Sequence, residues 1–60
     1  IPLNVVVNGE YADKNITMLN LTRKDTDKKL LKKNLKLKNI LIATIDANGR
    51  FVYQEKEKKA

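Results

Sequence analysis

Two Asn-Gly pairs, Asn8-Gly9 and Asn48-Gly49, stand near opposite ends of a 60-residue chain, each between apolar and β-branched residues. No other feature constrains the fold as strongly. Residues 3–7 read LNVVV, and Asn8-Gly9 then supplies two consecutive positions that tolerate positive φ, as a type I′ hairpin turn requires. Residues 10–12 make the short return strand. In the second segment, residues 40–46 run into Ala47-Asn48-Gly49 and out along residues 50–54, with Gly49 suited to the left-handed position of a longer turn. Asn8, Gly9, Asn48 and Gly49 therefore predict two β-hairpins.

Between the hairpins the period changes from two to helical. Residues 13–20, DKNITMLN, predict a short helix capped by Asp13 or Asn15, with Ile16 and Leu19 on one side. Further on, Thr22 is suited to an N-cap with Asp25 at N3, and Leu30, Leu31 and Leu35 make a narrow apolar stripe. Asp25 and Asp27 fall in the first turns and Lys32, Lys33 and Lys36 in the last, which suits the helix dipole, and Asp25 is spaced to pair with Lys29. The expected fold is α+β: a small two-layer sandwich in which two β-hairpins form a mostly antiparallel sheet, with a short and a longer helix between them. Residues 1–54 form the single domain, and residues 55–60, lacking apolar side chains, form a disordered charged tail.

Side chains alternate along a strand, so Leu41, Ala43 and Ile45 point one way and Ile40 and Ile42 the other. Both faces of that strand are apolar, yet one three-leucine stripe covers one face only. The second face is covered by the short helix, a neighbouring domain or a second copy of the chain, and Val6, Ile40, Ile42 and Val52 are the candidate interface.

The chain has no Cys and no His, which excludes disulfides, thiolate or imidazole metal sites and nucleophile systems built on either residue. The carboxylates, Glu10, Asp13, Asp25, Asp27, Asp46, Glu55 and Glu57, are scattered over turns, a helix start and the tail, and read as caps and solvated charges. Asp46 before Ala47-Asn48-Gly49 reads as a turn former. No catalytic, cofactor-binding or metal-ligating residue is assigned, and no enzyme activity is expected. Asn15-Ile16-Thr17 and Asn20-Leu21-Thr22 match the N-glycosylation pattern but are assigned to local capping.

Thirteen basic against seven acidic residues leave a net charge of +6, which favours anionic partners. Lys28, Lys29, Lys32, Lys33 and Lys36 are the candidate contacts to an anionic membrane surface. Phe51-Val52-Tyr53 after Arg50 has a faint aromatic alternation, but the full motif of an RNA-binding sheet is absent, so a small basic nucleic-acid-binding domain is the alternative reading. No apolar run approaches the roughly 20 residues that span a bilayer, and the chain opens on Ile1, which reads as a piece cut from a longer protein.

Residues 1–23, IPLNVVVNGEYADKNITMLNLTR, followed by KKLLKKNLKLKNILIATIDANGRFVY, resemble the cytoplasmic region of the YetF-type bacterial membrane proteins, a family of uncharacterised function. The likeness lies in a proline-apolar strand leading to Asn-Gly, a following Lys-Asn-Ile, a leucine-bearing helix, an Ala-Thr-Ile-Asp strand end and a closing Asn-Gly. It implies transmembrane helices upstream and a cytoplasmic part of two related α/β lobes, of which this chain resembles the second. Related lobes carry Leu-Arg in the helix where this chain has Leu31-Lys32, so no role of that arginine is carried over. The resemblance implies a non-enzymatic interaction, regulatory or oligomerisation domain without cofactor. Its partners would be the neighbouring lobe or another copy, at the cytoplasmic face of the bacterial cell membrane.

Overall fold

The computed structural model describes residues 1–57. Strands β1 (Leu3–Val7) and β2 (Glu10–Tyr11) are followed by helices α1 (Asp13–Met18) and α2 (Arg23–Lys32), a 3₁₀ turn at Leu37–Asn39, and strands β3 (Ile40–Ile45) and β4 (Phe51–Glu55). The four strands form one antiparallel sheet in the order β2-β1-β3-β4, so the two hairpins lie side by side with β1 and β3 at the centre. This is the α+β architecture expected, with both helices packed on one face.

Each hairpin closes as its turn residues dictate. Asn8 and Gly9 have φ of +50° and +79°, the pair of left-handed residues of a type I′ turn. Their amides continue the sheet, Asn8 N donating to Leu41 O at 2.6 Å and Gly9 N to Ile40 O at 2.8 Å. At the second turn Gly49 N donates to Asp46 O at 2.9 Å, and Gly49 takes φ of +82° before Asp46 N bonds Arg50 O. That is a turn followed by a bulged glycine, the usual form of a three-residue hairpin loop. Asp46 Oδ1 accepts from Asn48 N at 2.9 Å and Arg50 N at 2.8 Å, so it is a turn former. The β3–β4 strands run through Glu55, and Lys56 N still donates to Asn39 O, so the expected tail boundary at residue 55 is too early. Residues 58–60 of that expected tail lie outside the described residues.

Two β-bulges overturn the strict alternation read from the sequence. In β1, Asn4 pairs Thr44 and Val6 pairs Ala43, leaving Val5 as the extra residue. Val5 and Val6 are consequently both buried, where alternation would expose one. In β3, Ile40 pairs Glu55 and Ile42 pairs Gln54, leaving Leu41 extra. The bulge turns Ile40 onto the same face as Ala43 and Ile45, and all three are buried.

The single core contains Val5, Val6, Ile16, Leu30, Ile40, Ala43 and Ile45, with Tyr11, Leu19, Leu21, Leu35, Leu37 and Phe51 packed around it. The α2 stripe differs from the expected three leucines: Leu30 is buried, Leu31 is 75% exposed, and Leu35 lies beyond the helix end. Helix α2 begins as predicted, with a capping box in which Thr22 Oγ1 accepts from Asp25 N and Asp25 Oδ2 accepts from Thr22 N. Helix α1 lacks such a cap, since Ala12 holds the N-cap position and Asp13 points to Arg23 instead. Asn15, the other expected cap, donates its side-chain amide to Asn4 O.

Both helices end in the same way. Asn20 and Asn34 take φ of +59° and +58°. Leu21 N reaches back to Ile16 O at 3.0 Å, and Leu35 N reaches back to Leu30 O at 2.9 Å. Companion bonds run from Asn20 N to Thr17 O and from Asn34 N to Leu31 O. These are Schellman motifs with Asn at the left-handed position, each folding a leucine back toward the buried residue that closes it.

Candidate interaction surfaces

The sheet has a covered face and an open one. The pairings place Val6, Ala43 and Tyr53, and likewise Ile45 and Phe51, on the helix side. Asn4, Thr44 and Val52 form one row of the open face, and Val7, Ile42 and Gln54 form another. Of the four expected interface residues the structure separates two pairs. Val6 and Ile40 are fully buried inside the chain and contribute to no outer surface, because the two bulges put them on the core side. Ile42 is half-buried and Val52 is 55% exposed on the open face. The sequence reading missed their neighbours Val7 and Leu41, 44% and 43% exposed. The signal for Val7 was its position opposite Ile42 in the sheet, and for Leu41 it was the bulge, which no periodicity reveals.

The helix layer has a different character. On α2, Lys24, Lys28 and Lys32 recur every four residues and are all exposed, so they form one outward stripe. Leu31, exposed beside it, is three residues beyond Lys28. Lys33 and Lys36 follow the helix end and are exposed too. Lys29 is drawn aside, its Nζ donating to Gly49 O at 3.2 Å. It makes no salt bridge with Asp25, whose carboxylate is taken by the capping box.

All four aspartates are engaged locally. Asp13 forks with Arg23, Nε to Oδ1 at 2.8 Å and Nη2 to Oδ2 at 2.6 Å, the only salt bridge among the described residues. The Arg23 guanidinium also stands 4.7 Å over the Tyr11 ring, and the Tyr11 hydroxyl donates to Asp27. This network fastens the ends of β2, α1 and α2 to one another. Arg23 holds the Asp13 carboxyl below the usual carboxylate range, and the Thr22 backbone amide and hydroxyl do so for Asp25. The Arg50 and Asn48 amides lower Asp46, while the hydrogen bond to Asp27 pushes the Tyr11 hydroxyl up. With the aspartates so occupied, no salt bridge among the described residues neutralises the α2 lysines.

Two surface grooves flank α2. One, about 260 Å³, is lined by Asp27, Leu30, Leu31, Leu35 and Leu37, and the other, about 270 Å³, by Leu21, Asp25, Lys28, Lys29 and Lys32. Each contains one carboxylate, already bonded to Tyr11 or Thr22, so neither brings two carboxylates together. Among the described residues no group of three or more acidic side chains is arranged to hold a metal ion, and no helix is long and apolar enough to cross a membrane. Compared with known proteins, the chain matches no family model, no curated protein and no solved structure.

Proposed function

We propose that the chain is a non-catalytic interaction domain and that the open sheet face is the surface it presents to another protein layer. The observation that carries this reading is the one-sided cover of the sheet: Val7, Leu41 and Val52 are exposed around half-buried Ile42, with both helices on the opposite side. Exposed apolar side chains grouped on one face mark a contact surface more often than scattered ones do. In the terms of the YetF-type resemblance, the covering layer is the neighbouring lobe of the same protein or a second copy, at the cytoplasmic face of a bacterial cell membrane.

The test compares the solution mass and melting of the chain with those of Val7→Lys, up to millimolar concentration. The chain is expected to self-associate in the absence of any other covering layer. Val7→Lys is expected to stay folded and to lose the self-association made through this face, falling to a smaller mass than the wild-type chain, because its side chain already faces out. Equal masses for the two proteins would sink the reading.

A polyanion contact is the second reading, favoured by the Lys24, Lys28 and Lys32 stripe. It uses the opposite face of the molecule and is compatible with the first.

A further inference from the structure

We propose that the outer edge of β4 is a self-complementary pairing surface through which two copies of this chain join, antiparallel about a two-fold axis at Tyr53, into one continuous sheet. The proposal is independent of the open face, since it uses main-chain groups at the rim of the sheet.

The two rims are built differently. On the β2 side the edge strand has two residues, and the rest of β1 is covered: Ala12 N donates to Val5 O at 2.8 Å and the Asn15 amide to Asn4 O at 2.9 Å. On the β4 side a five-residue strand without proline closes the sheet, and every residue after Phe51 is exposed. The hairpin bond between Asp46 and Arg50 sets the alternation. Counting from it, Val52 and Gln54 turn their amides and carbonyls toward β3, and Phe51, Tyr53 and Glu55 turn theirs outward. The inward bond of Lys56 N to Asn39 O agrees with that count. No hydrogen bond among the described residues reaches the outward groups. Bare edges of this kind pair with further strands.

A second copy of β4 fits this edge. Antiparallel pairing centred on Tyr53 sets Phe51 opposite Glu55 of the second copy and Tyr53 opposite Tyr53. These are three narrow pairs, each exchanging two main-chain hydrogen bonds. Phe51 and Tyr53 stack on the helix side with ring centroids 5.7 Å apart, and the axis extends that row with the same two rings of the second copy. The same register brings Glu57 of the second copy opposite Gly49. There the Lys29 ammonium already lies against the Gly49 carbonyl, on the helix side of the sheet. The two-fold axis makes this charge pairing twice, as an isologous interface must.

Sedimentation equilibrium up to millimolar concentration, with amide exchange read at Phe51 and Tyr53, tests the pairing. Val7→Lys, which blocks the open face, should still dimerise through β4, with exchange at both amides slowing as concentration rises. Adding Tyr53→Pro removes an outward donor and keeps the β3 ladder, so the Val7→Lys/Tyr53→Pro chain should be folded and monomeric. Glu57→Lys, at an exposed position, should weaken the dimer about fivefold, and adding Lys29→Glu should restore it. A wild-type chain of single-chain mass throughout would overturn the proposal. So would an undiminished dimer in folded Val7→Lys/Tyr53→Pro, a charge swap without recovery, or Val7→Lys at single-chain mass.

Discussion

Gly9 and Gly49 hold almost the same φ, +79° and +82°, in different surroundings. A Cβ on Gly9 would stand 3.2 Å from Lys38 O and 3.3 Å from Lys38 Cα, both backbone atoms of the segment that leads into β3. One on Gly49 would meet nothing within 4 Å. Gly49→Ala should therefore cost about 1 kcal/mol, the strain of a left-handed alanine alone. Gly9→Ala should cost about 2–3 kcal/mol, because the β1–β3 register must shift as well. Urea unfolding of the two variants measures the difference, and equal costs would mean that the Lys38 backbone yields freely. The sequence announced both glycines, since Asn-Gly between β-prone residues has few other uses. It was silent on the crowding, which arises only when the first hairpin turn is laid against residues 38–41.

Helix ends in this chain are specified by side chains whose logic is local. Removing the cap hydroxyl in Thr22→Ala should cost about 1 kcal/mol in thermal or urea unfolding. At the other end of α2, Asn34 is left-handed, so Asn34→Gly should stabilise the domain by about 0.5 kcal/mol while Asn34→Ala destabilises it. A destabilised glycine variant would argue that the Asn34 side chain itself contributes. The capping box was legible because Thr22 and Asp25 stand three residues apart. The twin C-caps were legible in principle, as the repeated pattern of an apolar residue, three intervening positions and Asn-Leu at residues 16–21 and 30–35. The bulges at Val5 and Leu41 were not, because an inserted residue in a uniformly apolar strand leaves no trace in composition, and it reversed the assignment of Ile40. Acid should loosen these ends together. Asp13, Asp25 and Asp46 are all held below the ordinary carboxylate value in the folded chain. The stability they contribute is thus present above about pH 3.9 and lost as pH falls through their folded values. Tyr11, raised in the folded chain, acts at the other limit: its contribution is complete below about pH 10 and lost as pH rises through its folded value. A melting profile flat from pH 2 to 7, or one unchanged in Asp25→Asn with Asp46→Asn, would count against this account.

The molecule separates charge from apolar surface, with the exposed α2 lysines in the helix layer and Val7 and Val52 exposed on the open sheet face. The Debye length at physiological salt is about 8 Å, so the α2 lysines, on the far side of the sheet, act weakly on whatever approaches the open face. Anionic vesicles should bind the chain and release it in high salt, while neutral vesicles should not bind. Lys24→Glu with Lys28→Glu should abolish that binding without changing the melting temperature. A gel shift with single- and double-stranded oligonucleotides tests the other polyanion, and binding tighter than about 1 µM at physiological salt would favour nucleic acid. Net charge alone did not show which face carries the lysines without salt bridges; that was visible only once each aspartate had found a partner within its own neighbourhood. The two turns also set how the protein ages. In Asn-Gly sequences the glycine nitrogen attacks the asparagine side-chain amide, expels ammonia and leaves a succinimide that hydrolyses to aspartate or isoaspartate. Here Gly9 N is held by Ile40 O and Gly49 N by Asp46 O, so the attack must wait for the hairpins to open. Slow loss of ammonia at residues 8 and 48 would then record, molecule by molecule, how often each end of the sheet has come apart.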